Sequence, residues 1–248
     1  MNDELICGLH PVLTAIKQHP ERVEAIWVNE ERADKRMNEL IEVARAARVK
    51  FHPVPRAKLD KLAEGQPHQG AVARLRAIEV GGENELEAFL AQPRPMPLLL
   101  ILDGVQDPHN LGACLRVADA AGVHGVVVPR DRAAPLSATV RRAASGAAET
   151  VPIFQVVNLA RALDAIKAAG IWLYGAAQEG VEEIYELELN VPLAFVLGGE
   201  GEGLRRLTRE RCDRLVRIPM AGKVESLNVS VAAGVVLYEA MRQRRKGS

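Results

Sequence analysis

The chain has 248 residues, 48% hydrophobic and 26% charged, which suffices for one large domain or two small ones. Its 32 basic residues balance 32 acidic ones, so net charge does not indicate a nucleic-acid partner, although a local basic patch can suffice. The absence of a long apolar run, an export signal and paired or metal-spaced cysteines predicts a cytoplasmic protein without a membrane or metal partner.

The first third of the chain predicts a small α/β unit in the order αβαβαβ. The predicted segments are LHPVLTAIKQH, VEAIWV, ADKRMNELIEVARAAR, VKFHPV, PRAKLDKLAEG and GAVARL. Residues 77–97 follow, with a Gly pair, one short amphipathic stretch and the prolines of PRPMP. Because proline interrupts regular structure, this segment predicts a linker. We therefore expect an N-terminal domain at 1–76 and a second domain at 98–248.

The second domain predicts alternating strands and helices. The apolar strand LLLILDG is typical of a parallel sheet that is covered on both faces. Further strands are predicted at GVVVP, VPIFQVV, IWLYGAA, LAFVLG and DRLVRIPM, and helices near 110–121 and at SATVRRAASGA, NLARALDAIKAAG and LNVSVAAGVVLYEAMRQRR. Topology rules alone then predict an unknotted, doubly wound, mostly parallel sheet.

Three strand-to-helix junctions of this domain carry glycines and polar residues. They lie in DGVQDPHNLGACLRVADAAG (103–122), LAFVLGGEGEGLRR (193–206) and IPMAGKVESLNVSVAAGVVLYEA (218–240). Parallel strands end at such junctions, where helix N-termini present free amides. We therefore expect three loops to converge on one pocket.

The first junction also has a purely structural interpretation. Asp107 can cap a helix that starts at Pro108, with Asn110 satisfying an amide. Arg116 can pair with Asp119 three residues on. Asn110 and Arg116 are six residues apart, about 240° around a helix, so they can act together only if Asn110 lies in the loop.

The other two junctions also leave alternatives open. The even spacing of the glycines in GGEGEGL argues against the Gly-x-Gly-x-x-Gly dinucleotide pattern. Glu200 and Glu202 can complement a helix N-terminus, although glycines around a carboxylate indicate close approach of backbone to a ligand. At the third junction, capping explains Ser226 or Asn228 but not both. Gly234, beside two alanines, allows another backbone to pack closely, within or between subunits.

Taken together, the three blocks resemble the three motifs of the SpoU (TrmH-like) branch of the SPOUT RNA methyltransferases, in the family's order and over about residues 98–242. The segments ICGLHPVLTAI and HQGAVARL resemble the small substrate-binding domain of bacterial large-subunit rRNA methyltransferases, which is related in fold to a ribosomal protein. The resemblance implies a C-terminal, trefoil-knotted α/β domain with a mostly parallel sheet, preceded in the chain by a small N-terminal α/β domain. It also implies a homodimer through the methyltransferase domain.

The activity implied by the resemblance is 2′-O-methylation of a guanosine in the peptidyl-transferase P-loop of 23S rRNA, with S-adenosylmethionine as cofactor. The implied catalytic residues are Asn110, Arg116, Glu200, Ser226 and Asn228. The backbone at Leu197, Gly198, Gly199, Ile218, Met220 and Leu227 would hold the cofactor. Because guanidinium stays protonated in proteins, we expect Arg116 to hold a phosphate and stabilise the developing alkoxide rather than act as a base.

Basic residues elsewhere have two interpretations. One group can reach RNA phosphates or form a solvated surface: Arg130, Arg132, Arg141 and Arg142. The tail residues are expected to form a solvated helix end that suits the helix dipole: Arg242, Arg244, Arg245 and Lys246. Since aromatic residues make up only 4% of the chain, stacking of bases on an aromatic platform is not expected.

Other functions stay open at this point. A SpoU methyltransferase for a tRNA guanosine or a resistance-type rRNA adenosine would use the same chemistry, although the N-terminal domain argues against tRNA. A non-catalytic ribosome-assembly factor could keep the fold, although intact motif residues argue against it. An oxidoreductase is disfavoured by the glycine spacing.

Overall fold

The computed structural model describes residues 4–18, 20–76, 80–201 and 203–246. The chain divides into two compact units, unit 1 up to residue 79 and unit 2 from residue 80. Among the described residues, no helix is both long enough and apolar enough to cross a membrane.

Unit 1 is a mixed four-stranded sheet in the order β1–β4–β2–β3. Its elements are β1 (Glu4–Cys7), α1 (Leu9–Gln18), β2 (Val23–Asn29), α2 (Lys35–Ala46), β3 (Phe51–Val54), α3 (Arg56–Leu62) and β4 (Ala71–Leu75). Strand β4 runs antiparallel to β1 and β2, whereas β2 and β3 are parallel. The predicted alternation matches this order except for β1, a four-residue strand that pairs with β4 and was not predicted.

The two faces of this sheet are covered unequally. Helices α1 and α2 close one face over a core that includes Ile26, Met37 and Ala73. The other face carries α3 alone, which buries Leu59 against Trp27 and neighbouring strand residues. Because α3 has only seven residues, it covers only part of this face, where His52 is exposed.

Unit 2 is a seven-stranded parallel sheet in the order β7–β6–β5–β10–β8–β11–β9. Its strands are β5 (Leu98–Asp103), β6 (Gly125–Pro129), β7 (Ile153–Val156), β8 (Trp172–Ala176), β9 (Glu182–Glu183), β10 (Leu193–Gly198) and β11 (Arg214–Arg217). Its helices are α4 (Glu83–Leu90), α5 (Pro108–Ala120), α6 (Ala138–Ala144), α7 (Ala147–Thr150), α8 (Leu159–Ala168), α9 (Arg206–Arg211) and α10 (Val229–Lys246). The apolar strands β5 and β10 are paired at the centre, as fully buried parallel strands should be.

Several features of unit 2 differ from the sequence predictions. The predicted helix SATVRRAASGA (137–147) ends early, at Ala144, because Ser145 adopts a left-handed conformation with φ 51°; α7, which begins at Ala147, was not predicted. The short strand β9 was not predicted, since two residues carry little periodic signal, whereas α9 is the helix expected after the second junction. Strand β10 lies between β5 and β8 although both precede it, and α10 contacts both α5 and β10. The trefoil knot stays a prediction.

The predicted linker at 77–97 contains a helix that is packed into unit 2. Helix α4 buries Leu86 and Phe89 in the core, and the Phe89 and Phe154 ring centroids lie 5.0 Å apart. Gly81 N–H also donates to a carbonyl of β7. Residues 77–79 lie outside the described part of the chain. The structure therefore corrects the linker prediction: from residue 80 onward the segment belongs to unit 2, and its packing partner Phe154 could not be read from the local pattern.

The C-terminal helix is held to the sheet by a half-buried arginine. Arg244 donates to the carbonyl oxygens of Met96 at 2.8 Å, Pro97 at 3.2 Å and Val191 at 2.7 Å. Burial lowers the pKa of Arg244. The prediction of a solvated helix end is therefore wrong for this residue, because its guanidinium satisfies the carbonyls that precede β5 and β10.

The other tail residues behave differently. Arg242 forms an ion pair with Glu239 at 2.6 Å, and Arg245 is exposed. The side chain of Lys246 lies outside the described residues.

Replacing Arg244 by alanine is expected to lower the free energy of unfolding by about 2 to 3 kcal/mol, because buried carbonyl groups lose their donor. Urea denaturation measures the change. Arg245→Ala serves as the matched control and is expected to change the free energy by less than about 0.5 kcal/mol. Equal, small effects of the two substitutions would contradict the anchoring role.

Candidate active site

Three polar side chains, one from each sequence block, meet at the carboxyl ends of the central strands. Asn110 lies in the first turn of α5, Glu200 follows β10, and Asn228 precedes α10. Asn110 Nδ2 donates to Glu200 Oε1 at 2.7 Å. Asn228 Nδ2 donates to the same carboxylate oxygen at 2.9 Å and to Asn110 Oδ1 at 2.9 Å. We call these residues the Asn–Glu–Asn cluster.

Asn228 both caps a helix and belongs to the cluster. Its Oδ1 accepts hydrogen bonds from the Ser230 backbone N–H at 2.9 Å and from Ser230 Oγ at 2.7 Å. Since a backbone N–H can only donate, these bonds direct the Asn228 oxygen toward α10 and its NH₂ group toward Glu200. The oxygen of the Asn228 amide therefore caps α10, and its NH₂ group belongs to the cluster.

The first helix turn explains the position of Asn110. Asp107 Oδ1 accepts from His109 N–H at 2.8 Å, and Pro108 occupies the first helical position. Asp107 is thus the cap, and Asn110 is already helical with its amide directed at Glu200. The condition that Asn110 lies in a loop is not met.

Arg116 lies apart from the cluster within one chain. It is exposed on α5, about 240° further around the helix than Asn110. Within the part of the chain that the structure describes, Arg116 forms no hydrogen bond or ion pair. The alternative pairing with Asp119 is not formed either, since Asp119 Oδ1 accepts from Thr150 Oγ1 at 2.5 Å. Arg116 is therefore available to an external group.

A cavity of about 670 Å³ lies beside the cluster. This volume falls in the range of about 300 to 1,000 Å³ that is usual for small-molecule sites. All six residues that the resemblance implied for the cofactor line it: Leu197, Gly198, Gly199, Ile218, Met220 and Leu227. Glu200, Ser226 and Asn228 line it as well. The apolar side chains and glycine backbone suit a heterocyclic base.

Two glycines of the cavity wall are required by backbone packing. A Cβ on Gly198 would lie 2.1 Å from the carbonyl carbon of Gly203, and one on Gly199 would lie 2.3 Å from the carbonyl oxygen of Gly104. The loop also folds back on itself, since Gly203 N–H donates to Gly199 O at 3.2 Å. Here glycine allows backbone to contact backbone, which keeps Glu200 and the cavity wall in place.

A buried carboxylate outside the predicted site residues holds this loop to the sheet. Asp103 at the end of β5 is only 1% exposed. Its Oδ2 accepts from the Arg205 backbone N–H at 3.2 Å, and its Oδ1 pairs with the Arg205 guanidinium. A charged residue at the end of an apolar strand was the available sequence signal. Asp103 therefore positions the segment that carries Glu200.

Charged side chains at the cavity are mostly acidic. Glu179, Glu200 and Glu225 line it with a single guanidinium, that of Arg209, which pairs with Glu179 at 2.7 Å. Glu179 and Arg209 were not among the predicted site residues, because no recognised motif contains them. The excess of carboxylates favours a ligand with positive charge, such as a sulfonium.

The four arginines that can either reach RNA phosphates or form a solvated surface also lie in unit 2. Arg130, Arg132 and Arg142 are exposed. Arg141, on α6, is partly buried. Among the described residues, no group of three or more His, Cys, Asp or Glu is placed to hold a metal ion.

Comparison with protein-family models gives two matches. Residues 97–238 match the SpoU rRNA Methylase family, and residues 5–81 match the family described as RNA 2'-O ribose methyltransferase substrate binding. The first match alone covers more than half of the chain.

Curated relatives cover nearly the whole chain. A Pseudomonas aeruginosa protein named 23S rRNA (guanosine-2'-O-)-methyltransferase RlmB is 52% identical over 241 residues, which are 97% of each chain. A Shewanella oneidensis protein of the same name is 51% identical over 242 residues, 98% of each chain. Among solved structures, the SpoU methyltransferase AviRb from Streptomyces viridochromogenes, in complex with AdoMet, is 27% identical with a TM-score of 0.77, covering 99% of this chain and 92% of its own.

Proposed function

The chain belongs to the SpoU rRNA Methylase family, and on that basis we propose that it methylates the ribose 2′-oxygen of a guanosine in the P-loop of 23S rRNA. S-adenosylmethionine is the cofactor of this family. The structural observation that carries the proposal is the Asn–Glu–Asn cluster at the rim of the glycine-walled cavity. The RNA 2'-O-methyltransferase substrate-binding match in unit 1 supports an RNA substrate.

The cavity fits the cofactor. Its apolar wall suits adenine, and its acidic side chains suit a sulfonium cation. When bound, S-adenosylmethionine supplies a strongly electrophilic methyl group. We propose that the residues named by the resemblance hold it: Leu197, Gly198, Gly199, Ile218, Met220 and Leu227.

The protein's own task is to position a weak nucleophile and to help remove its proton. We propose that Glu200, held by two amide groups, orients the ribose with Asn110 and Asn228, and that Ser226 lines the reaction centre. Within one chain, Arg116 lies on a different side of α5 from Asn110. We therefore propose that Arg116 of a second copy of the chain holds a substrate phosphate and stabilises the developing alkoxide, and that the proton leaves to phosphate or water. Because the methyl group is already electrophilic, this chemistry requires no metal. For an rRNA substrate we propose a cytoplasmic location.

We propose further that the protein is a homodimer through unit 2. Helix α10 exposes Val231 (51%) and Tyr238 (46%), which are seven residues apart and so lie on one helix face. Between them, a Cβ on Gly234 would lie 4.0 Å from Val117, an ordinary contact, so packing within the chain does not require this glycine. A second copy packed on this face would bury both side chains and make use of the small residue.

Sedimentation of the purified protein tests the dimer. The expected mass is twice that of one chain, and Val231→Arg is expected to shift it to one chain by placing a charge in the interface. Lys17→Ala, in unit 1, is the control and should leave the dimer intact. A wild-type mass of one chain at micromolar concentration would contradict the proposal.

Transfer of labelled methyl groups from S-adenosylmethionine to 23S rRNA that lacks the modification tests the function. The expected product is a single 2′-O-methylguanosine in the P-loop, located by mapping the modified site. Methylation of bulk tRNA but not of 23S rRNA would overturn the substrate, and absence of transfer to either RNA would overturn the activity.

Arg116→Lys tests the proposed role of the guanidinium in the same assay. Lysine keeps the charge but loses the planar fork that holds a phosphate with two hydrogen bonds. We expect kcat to fall about tenfold, equivalent to about 1.4 kcal/mol of transition-state stabilisation. Turnover close to wild type would show that positive charge alone suffices at this position.

A further inference from the structure

The face of the unit 1 sheet that carries α3 also carries a stack of planar groups. On β2, Trp27 is paired in register with His52 of β3, and the two rings stack with centroids 6.3 Å apart and planes 29° apart. The guanidinium of Arg74, on β4, lies 5.0 Å from the centroid of the same indole ring. Trp27 is only 8% exposed, whereas His52 is exposed and Arg74 is partly buried. The indole thus supports an imidazole and a guanidinium at the solvent boundary.

Positive charge surrounds this stack. Lys50 is exposed and stands two residues before His52, so it lies on the same face of the extended chain. On α3, which covers the adjoining part of this face, Arg56, Lys58 and Lys61 are exposed and form no ion pair within the described ranges.

Two nearby carboxylates are already engaged. Asp60 of α3 contacts His68 Nε2 at 2.9 Å, and Glu24 near the start of β2 pairs with Arg76 at 3.7 Å. The cations of this face therefore exceed the acidic groups beside them. The opposite face of the same sheet is closed by α1 and α2 and offers no such surface.

A planar stack within a basic surface matches the chemistry of single-stranded RNA. Unpaired bases stack on aromatic rings and on guanidinium planes, and phosphates bind Lys and Arg. A duplex hides its base faces and would leave the stack unused. The low aromatic content of the chain does not exclude such a site, because one buried indole suffices to support two planar polar groups.

We propose that this surface, formed by His52 and Arg74 over Trp27 and flanked by Lys50, Arg56, Lys58 and Lys61, binds an unpaired stretch of the substrate RNA. A base stacks on His52 or Arg74, and the flanking cations contact phosphates on either side. The proposal rests on the RNA substrate proposed above and assigns its docking surface within unit 1.

The test uses the full-length protein with His52→Ala, Arg74→Gln and Lys61→Ala. The Trp27 side chain is left unchanged because its loss would damage the core. Arg45→Gln is the matched control, since the Arg45 guanidinium also lies over a ring, that of Phe51 at 5.5 Å, but Phe51 belongs to the helix-covered core. Affinity is measured by fluorescence anisotropy with a single-stranded oligonucleotide of the P-loop sequence and with the same sequence as a duplex.

We expect His52→Ala and Arg74→Gln each to weaken single-strand binding about tenfold and to raise the KM for rRNA similarly, with kcat and the KM for S-adenosylmethionine unchanged. Lys61→Ala should reduce the slope of log affinity against log salt concentration by about one, as expected for the loss of one phosphate contact. Affinities within twofold of the Arg45→Gln control would overturn the surface. Equal losses with single strand and duplex would overturn the stacking.

The two proposals fail in distinguishable ways. If the wild-type protein binds the oligonucleotide but methylates no RNA, the proposed function fails, and the variants' affinities still decide the surface. If it methylates 23S rRNA and the variants match the control in both affinity and KM, the proposed function stands and the surface is wrong.

Discussion

Asn228→Asp is expected to lower kcat/KM for methyl transfer about a hundredfold while changing the free energy of unfolding by less than about 1 kcal/mol. Aspartate keeps an oxygen that accepts from Ser230 N–H, and it is as good a helix cap as asparagine. It replaces the NH₂ group that donates to Glu200 and Asn110 with an oxygen that cannot donate. Two hydrogen bonds are lost and two carboxylates face each other, so Glu200 is no longer held.

Steady-state kinetics and urea denaturation of the same preparations separate the two roles of Asn228. Ser230→Ala is the control, because it removes only a hydroxyl donor on the capping side and leaves the bonds to Glu200 intact. We expect it to retain kcat/KM within about threefold, with a loss of about 0.5 to 1 kcal/mol in stability. Near-wild-type kinetics for Asn228→Asp would show that the Asn–Glu–Asn cluster does not position the substrate.

Gly198→Ala is expected to weaken cofactor binding at least thirtyfold and to lower the melting temperature by several degrees. The new methyl group would lie 2.1 Å from the carbonyl carbon of Gly203, and backbone cannot yield as a flexible side chain can. The loop must then move away from β10, carrying Glu200 and the cavity wall with it. The displaced loop therefore accounts for both the weaker cofactor binding and the lower melting temperature.

Isothermal titration with S-adenosylmethionine and thermal unfolding measure these effects. Gly222→Ala is the matched control, since it lies in the loop between β11 and α10 and a Cβ there meets nothing within 4 Å. We expect the control to leave affinity and melting temperature within error of wild type. If Gly198→Ala bound the cofactor as tightly as the control, the close backbone contact would not shape the cavity.

Local sequence patterns predicted most elements because their signals are local. The apolar runs of β5 and β10 indicated buried strands, and Asp107 followed by Pro108 indicated the start of α5. The same reasoning misplaced α4 in a linker, since eight amphipathic residues do not reveal that Phe89 packs on Phe154. It likewise treated Arg244 as solvated, because the carbonyls that it binds precede two strands far along the chain.

In the candidate site, too, the sequence patterns named residues but did not show which of them are in contact. The three blocks and their order were sufficient to recognise the family and to name Asn110, Glu200 and Asn228. Their contacts join residues separated by 90 and 118 positions, and these exist because β10 inserts between β5 and β8. That strand order also buries Asp103 beneath the glycine loop. Composition, caps and strands follow from interactions between near neighbours, so the sequence by itself determined them. Which side chains face one another depends on how the sheet is assembled, so only the tertiary structure decided it.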